Sequence, residues 1–334
     1  MTMNIGWIGC GRHASQMLLP QLTRFDARLA AVCDTDAGRR GDVARQFGVT
    51  AAFDDYREML AHPGLDAIGM AVGPGLHVEA GIAALKRGLP VFMEKPPGAT
   101  GDDARRLADA ADSAGKPIAV GFMKRYSVGN RIARNVIADK DFGPVLGFYG
   151  SYMTAPTYFE GNADYTGFFL HHCVHYMDLP AHLVSPIADM TVRAREHQPG
   201  KLLMHVDLHF TCGAVGTLVM GTVQSRGTPM ESIQVMGDHR RVEVDNVINV
   251  AYHRDPPFKT DDPAAILSPG CDTLTWEPNF TAAANEDFKG YHGLLGDALA
   301  LLRDGTPGAP TIHDGITAMD LLDKLRAGVT RALG

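Results

Sequence analysis

Short apolar runs alternate with amphipathic ones through the first third of the chain. Asn4–Ile8, Leu29–Cys33, Ala67–Val72, Pro90–Met93 and Ile118–Phe122 are apolar and strand-like, whereas Leu18–Leu22, Asp36–Phe47, His77–Arg87 and Asp102–Ala114 carry helical spacing. Strand and helix in strict alternation predict a parallel sheet covered by helices on both faces. The pattern changes after Lys124. One helical run (Asn130–Ile137) precedes longer strand-like runs at Val145–Tyr152, Asp189–Glu196, Leu202–Thr211, Gly216–Thr222, Ser232–Met236 and Val242–Val250. Turn signals such as Cys212-Gly213 and Gly237-Asp238 separate them, so this sheet is expected to be mostly antiparallel. A helical stretch, Phe168–Val184, interrupts it. Two more, Asn285–Arg303 and His313–Leu333, end the chain, and a proline-rich segment, Asp255–Pro269, reads as an extended loop.

These elements predict an α/β domain with a doubly wound parallel sheet over residues 1–123. An α+β domain with an open, mostly antiparallel sheet follows over 124–312. A C-terminal helix over 313–334 is expected to pack back on the first domain. The length of 334 residues suits two domains.

Composition narrows the function classes. Apolar residues are 45% and charged residues 21%, an ordinary globular balance. The net charge of −7 argues against a nucleic-acid or anionic-membrane partner. Val206–Val223 is apolar on average, but Asp207, His209 and several Thr and Gly residues make it unlike a membrane span. The start of the chain has no basic segment leading into an apolar one, so no secretory signal is expected. Cys10, Cys33, Cys173, Cys212 and Cys271 are scattered with no CxxC pair, which points to a reducing cytoplasm rather than a disulfide framework.

Gly9-Cys10-Gly11-Arg12-His13-Ala14 lies between the first strand and the first helix and fits G-x-G-x-x-[G/A]. In that motif the first glycine makes a tight turn, the second lets backbone approach a pyrophosphate, and the small third residue packs helix on strand. Helix N-terminal amides then hold the phosphates. Asp34 ends the second strand 20 residues after Ala14, where a carboxylate receives ribose hydroxyls. A carboxylate there favours NAD. Arg39 and Arg40, close behind, leave NADP open.

Val91-Phe92-Met93-Glu94-Lys95-Pro96-Pro97 brings a lysine to the carboxyl end of the parallel sheet. With the Gly9 motif, this Glu-Lys-Pro tripeptide resembles the Gfo/Idh/MocA oxidoreductase family, and the resemblance runs over essentially the whole chain. Val72-Gly73-Pro74-Gly75-Leu76-His77 is similar to the family's strand-to-helix turn near the cofactor. Gly121–Tyr126 is similar to its crossover between domains, and Leu170–Leu179 to its catalytic helix. The resemblance implies a Rossmann domain, then an open antiparallel sheet, with a substrate between them over the nicotinamide. It implies hydride transfer to or from a secondary alcohol of a sugar, cyclitol or sugar derivative, and a homo-oligomer (dimer or tetramer). Lys95 is implied to hold the reacting oxygen and His175 to move its proton. Cofactor contacts are expected from Gly9 to Ala14, Asp34, Val72, Gly73, Pro74, His77, Glu94 and Lys95. Substrate contacts are expected from Lys95, Arg125, Tyr126, His171 and His175.

One position departs from the family. It commonly has Asp-x-Gly-x-His on the catalytic helix, where this chain has His171, Cys173 and His175. On an α-helix, residues i and i+4 share a face. His171 and His175 are therefore expected to point together, with His172 rotated away by about 100°. Either His171 contacts substrate in place of the carboxylate, or another acid approaches.

A proton carrier and a positive donor suit carbinol oxidation. Asp178, one turn past His175, is expected to orient the helix. Tyr152, Tyr158, Tyr165 and Trp276 suit sugar stacking or plain packing. A metal at His171 and His175, or at His205, Asp207 and His209, lacks a completing Cys or Glu at a known spacing, and none is expected. Two other readings stay open: glycoside cleavage through transient oxidation at C3, and a non-catalytic dinucleotide sensor.

Overall fold

The computed structural model describes all residues except 1, 157–164, 226–229, 256–258, 260 and 279–286. The chain forms two compact units. The first contains Met1–Met123 with Tyr291–Asp323, and the second Lys124–Gly290 with Lys324–Gly334.

The first unit is built on β1 (Met3–Ile8), β2 (Ala27–Cys33), β3 (Ala51–Phe53), β4 (Ala67–Met70), β5 (Val91–Met93) and β6 (Ile118–Val120). All pairs are parallel, in the order β3-β2-β1-β4-β5-β6. The strand order reverses between β1 and β4, and sheets of this kind take ligands outside the carboxyl ends at such a point. Strands β4, β5 and β6 are buried throughout, as their continuous apolar runs require. Trp7 of β1 lies over Gly69 of β4, where a Cβ would meet its ring at 2.3 Å.

Helices α1 (Leu19–Leu22), α2 (Ala37–Phe47), α3 (Tyr56–Met59), α4 (Pro74–Lys86) and α5 (Gly101–Ala114) connect the strands. Their ends carry the chemistry that helix termini need. Asp36 caps α2, and Thr100 caps α5 ahead of Asp102 and Asp103. Gly48 and Gly115 close the same two helices in the left-handed region.

The second unit holds α6 (Val128–Ala138), β7 (Gly147–Met153), α7 (Thr166–Phe168), α8 (Val174–Leu183), β8 (Ile187–Glu196), β9 (Leu202–Phe210), β10 (Val215–Gly221), β11 (Met230–Gly237), β12 (Arg240–Asp245), β13 (Asn249–His253) and β14 (Leu274–Trp276). The order is β14-β13-β12-β11-β7-β10-β9-β8, antiparallel except for β7 with β10. On β9, Leu202, Met204, Val206, Leu208 and Phe210 are buried and their neighbours are not, so one face of the sheet is covered and the other is not.

Helix α9 (Tyr291–Asp304) belongs to the first unit. Helix α10 (Ile312–Leu333) is divided. Asp323 accepts from the Gly101 amide at 2.8 Å and Asp320 pairs with Arg105 in the first unit, while Gly328 packs against Val192 of β8 in the second.

The short elements β3, α3 and β14 have no counterpart in the sequence pattern, and two further elements differ from theirs. Val242–Val250 is a hairpin rather than one strand, because Asn246 and Val247 turn the chain with φ of 51° and 59°. A β-branched residue in that region carries no turn signal. Of the helix expected over Asn285–Arg303, Asn285 lies outside the described residues, residues 287–290 are not helical, and the helix begins at Tyr291. Gly290 has φ of 95°, and a Cβ there would meet the Tyr126 backbone at 2.4 Å.

Candidate functional site

The turn after β1 separates two glycines by their need. Gly9 has φ of 94°, and a Cβ on it would sit 2.3 Å from the Ala71 carbonyl oxygen, so the fold itself demands glycine. At Gly11 a Cβ would meet nothing within 4 Å, so packing inside the protein does not explain that glycine. The space fits the close backbone approach of a pyrophosphate. The helix opens with Ser15 N–H bonding to the Gly11 carbonyl at 3.0 Å, and the amides before it have no carbonyl one turn back. A π-helical turn (Ala14–Leu18) follows, immediately ahead of Pro20. The proline ring has no N–H and crowds the carbonyl one turn back, which the wider turn relieves.

Asp34 is bound into this turn. One carboxylate oxygen accepts from Cys10 N–H at 2.8 Å and the other from Asp36 N–H at 2.9 Å. Arg39 pairs with Asp36, and Arg40 donates to the Asp34 carbonyl at 2.5 Å. A cavity of about 450 Å³ adjoins them, lined by Gly9, Asp34, Asp54, Asp55, Tyr56 and Val72 among others. The wall over Asp54–Arg57 has no motif, and its only sequence signal is the position after the three-residue β3.

Beyond β4, Gly73 precedes Pro74 at the first position of α4. His77 lies fully buried inside that helix rather than facing the cavity. Its Nε2 accepts from Val72 N–H at 3.2 Å, and its Nδ1 donates to the Pro96 carbonyl at 2.9 Å. Burial pushes the imidazole down to about 4. His77 thus clasps the β4 turn to the tripeptide loop, where Lys95–Pro96 is a cis peptide. Glu94 is 4% exposed. One of its oxygens accepts from Lys95 N–H at 3.2 Å, and the other lies 3.6 Å from Nε2 of His13.

In the second unit, the helix carrying the three histidines is π-helical over Phe169–Cys173 before it continues as α8. The wider turn changes the angular spacing on which the shared-face expectation rested. His171 is exposed, His175 is 6% exposed, and His172 is half-buried. His172, expected to be rotated away, is engaged: its Nδ1 bonds the Tyr152 hydroxyl at 2.7 Å, and the rings stack.

Two buried ion pairs fix this helix. Arg125 grips Asp178 with both ends of its guanidinium, one bond at 2.8 Å. Its charge is therefore matched within the protein. Lys124 pairs with Glu231, which also accepts from the Tyr176 hydroxyl at 2.7 Å. The Lys124 ammonium lies over the Tyr152 and Tyr176 rings at 5.7 and 5.5 Å. Burial first, and then the Glu231 carboxylate, pushes the Tyr176 phenol well above its ordinary value. Lys124 lies in the Gly121–Tyr126 crossover, but its pairing with Glu231 spans 107 residues and no local pattern points to it.

Tyr126 packs by its backbone and Cβ where Gly290 turns. Tyr165 is buried with its hydroxyl on Glu196. Trp276 lies on the edge strand β14, and Tyr158 lies outside the described residues. Among the described residues, no three His, Cys, Asp or Glu side chains are grouped to hold a metal ion, and no helix is long and apolar enough to cross a membrane.

Residues 3–122 match the family description "Oxidoreductase family, NAD-binding Rossmann fold", and residues 134–327 match "Oxidoreductase family, C-terminal alpha/beta domain". The chain belongs to the Gfo/Idh/MocA oxidoreductase family. Among curated members, it is 29% identical over 160 residues to inositol 2-dehydrogenase of Salmonella typhimurium, an alignment covering 47% of this chain and 48% of that protein. The chain thus spans about half the length of the curated relatives it matches. A dehydrogenase from Chromobacterium violaceum superposes with a TM-score of 0.87 at 24% identity, covering 99% of this chain and 96% of that one. A levoglucosan dehydrogenase in complex with NADH and levoglucosan gives 0.83 at 17%, covering 99% and 98%. At these identities, the two structures establish the Gfo/Idh/MocA fold alone.

Proposed function

We propose that the chain is an NAD-dependent oxidoreductase acting on a secondary alcohol, or the matching ketone, of a sugar, cyclitol or sugar derivative. The observation that carries this reading is the unequal pair of glycines. Gly9 is explained by the fold, whereas Gly11 has free space beside it and is explained by a ligand approaching the backbone. Inositol 2-dehydrogenase and levoglucosan dehydrogenase, named among the relatives and neighbours, support the substrate class.

A bound nicotinamide supplies the hydride acceptor. The protein's own residues do the rest. The Gly9–Ala14 loop holds the phosphates, with Gly11 giving backbone access. Asp34 presents a fixed carboxylate to the ribose hydroxyls. Asp54 and Asp55 add negative charge to the same cavity, while Arg39 and Arg40 are tied to Asp36 and the Asp34 carbonyl. That arrangement favours NAD over NADP, whose extra phosphate meets carboxylates. Val72, Gly73 and Pro74 border the cofactor, with His77 clasping the loop behind them. Lys95 holds the reacting oxygen and stabilises charge that develops on it. His175 takes the hydroxyl proton, and the Arg125–Asp178 and Lys124–Glu231–Tyr176 contacts keep its helix in place.

Titrating NADH and NADPH in parallel, by fluorescence, tests the reading. Tight NADH with weak NADPH is expected, and binding of neither overturns it. The sheet of the second unit carries a groove of about 660 Å³ lined by Leu146, Tyr149, Val215 and Met236 among others, which supports a homo-oligomer. Sedimentation as a monomer at micromolar concentration would refute that. All five cysteines are free, which supports residence in a reducing cytoplasm. Recovery of the native chain outside the cytoplasmic fraction would contradict it.

A further inference from the structure

We propose that His13 is a charged ligand of the dinucleotide pyrophosphate, held in place by the buried carboxylate of Glu94. The proposal rests on the cofactor reading above and assigns it a side chain beyond the backbone loop.

Glu94 lies at the carboxyl end of β5, and its Oε1 is buried with no hydrogen-bond partner among the described residues. A buried carboxylate oxygen in that state is costly unless a positive group neutralises it. The group placed to do so is His13, whose Nε2 is 3.6 Å away. Gly121 closes the other side of the carboxylate, since a Cβ there would meet Oε1 at 2.7 Å, so the carboxylate has no room to turn that way. The edge of the His13 ring meets Tyr291, with ring centroids 5.4 Å apart, which limits its swing on a second side.

His13 is the fifth residue of the phosphate loop. It is still 44% exposed, so a ligand can reach it. With Nε2 turned to Glu94, Nδ1 is left for the loop. A phosphate oxygen accepts a hydrogen bond only if that nitrogen also carries hydrogen, which is the imidazolium form. Charge-assisted bonds on both nitrogens then join the carboxylate, the imidazolium and the pyrophosphate. The same carboxylate accepts the Lys95 amide at 3.2 Å through its other oxygen. Filling the phosphate loop therefore bears on the backbone that carries Lys95, and Glu94 acts as a positioning residue.

The test is binding of three probes, NADH, ADP-ribose and adenosine, to wild type, His13→Gln, Glu94→Gln and the double variant, by calorimetry. His13→Gln is expected to weaken NADH and ADP-ribose about tenfold and to leave adenosine, which has no phosphate, unchanged. Glu94→Gln is expected to weaken the same two probes, with little added loss in the double variant. If Glu94→Gln does not fold, the exposed His13→Gln decides the matter through the contrast between ADP-ribose and adenosine. Unchanged ADP-ribose affinity in His13→Gln, or an equal loss for adenosine, overturns this inference and leaves the cofactor reading standing. A wild type that binds none of the three overturns both.

Discussion

The Nδ1 of His77 donates to the Pro96 carbonyl at 2.9 Å from a fully buried ring, joining the turn after β4 to the loop that carries Lys95. Val72 N–H occupies the other nitrogen, so only the neutral ring fits. Its pKa is lowered to about 4 by burial, from an ordinary 6.5. The unfolded chain thus binds a proton below 6.5 that the folded chain refuses until about 4. The contribution is fully present above 6.5 and is lost as pH falls toward 4, a total of about 3 kcal/mol. Urea unfolding of wild type should show stability rising with pH across that window. His77→Gln should flatten the slope, and an unchanged slope would remove His77 as its source.

The two glycines of the nucleotide loop should respond oppositely to alanine. Gly9→Ala forces a Cβ onto the Ala71 carbonyl and should destabilise the first unit by roughly 3 kcal/mol or more. Gly11→Ala meets nothing and should leave stability within about 0.5 kcal/mol while weakening NADH. Thermal unfolding beside an NADH titration separates the two. A Gly11→Ala variant that binds NADH as wild type does would count against the phosphate site.

Five of the six parallel strands were legible in the sequence because each is a short apolar run flanked by helical spacing, whereas the three-residue β3 and the single turn of α3 are too short to carry a period. The Gly9 loop and Asp34 were legible as well, since their spacing is local. The second unit's site was less so. A π-turn has no residue code, and the α-helical spacing that relates His171 to His175 does not hold over Phe169–Cys173. The Lys124–Glu231–Tyr176 cluster joins positions far apart in the chain, and no local pattern points to such a pairing.

Arg125 and Asp178 form a largely buried pair, and removing one partner leaves a charge unmatched. Asp178→Ala should cost about 3 kcal/mol of stability in the second unit, and Arg125→Met/Asp178→Leu together less than the sum of the two single changes. Strictly additive losses in denaturant melts would mean that the two residues act independently.

Thiol reactivity should sort by burial. Burial, with Asp34 nearby, pushes Cys10 up to about 12 and Cys33 to about 11, whereas a Ser185 hydrogen bond lowers the exposed Cys212. Iodoacetamide at about pH 8 should label Cys212 well before Cys10 or Cys33, read by peptide mass spectrometry. Early labelling of Cys10 would mean that the nucleotide loop opens readily.

In the proposed reaction, Lys95 acts on the reacting oxygen of a sugar-like alcohol. The most direct measurement is NADH absorbance on mixing the protein with NAD and a panel of cyclitols and aldoses, for wild type and Lys95→Ala side by side. Wild type should produce NADH with at least one panel member. Lys95→Ala should lose turnover by roughly a hundredfold or more at nearly unchanged NADH affinity. Unchanged turnover in Lys95→Ala, or tight NADH binding by a wild type that turns over no panel member, would contradict it.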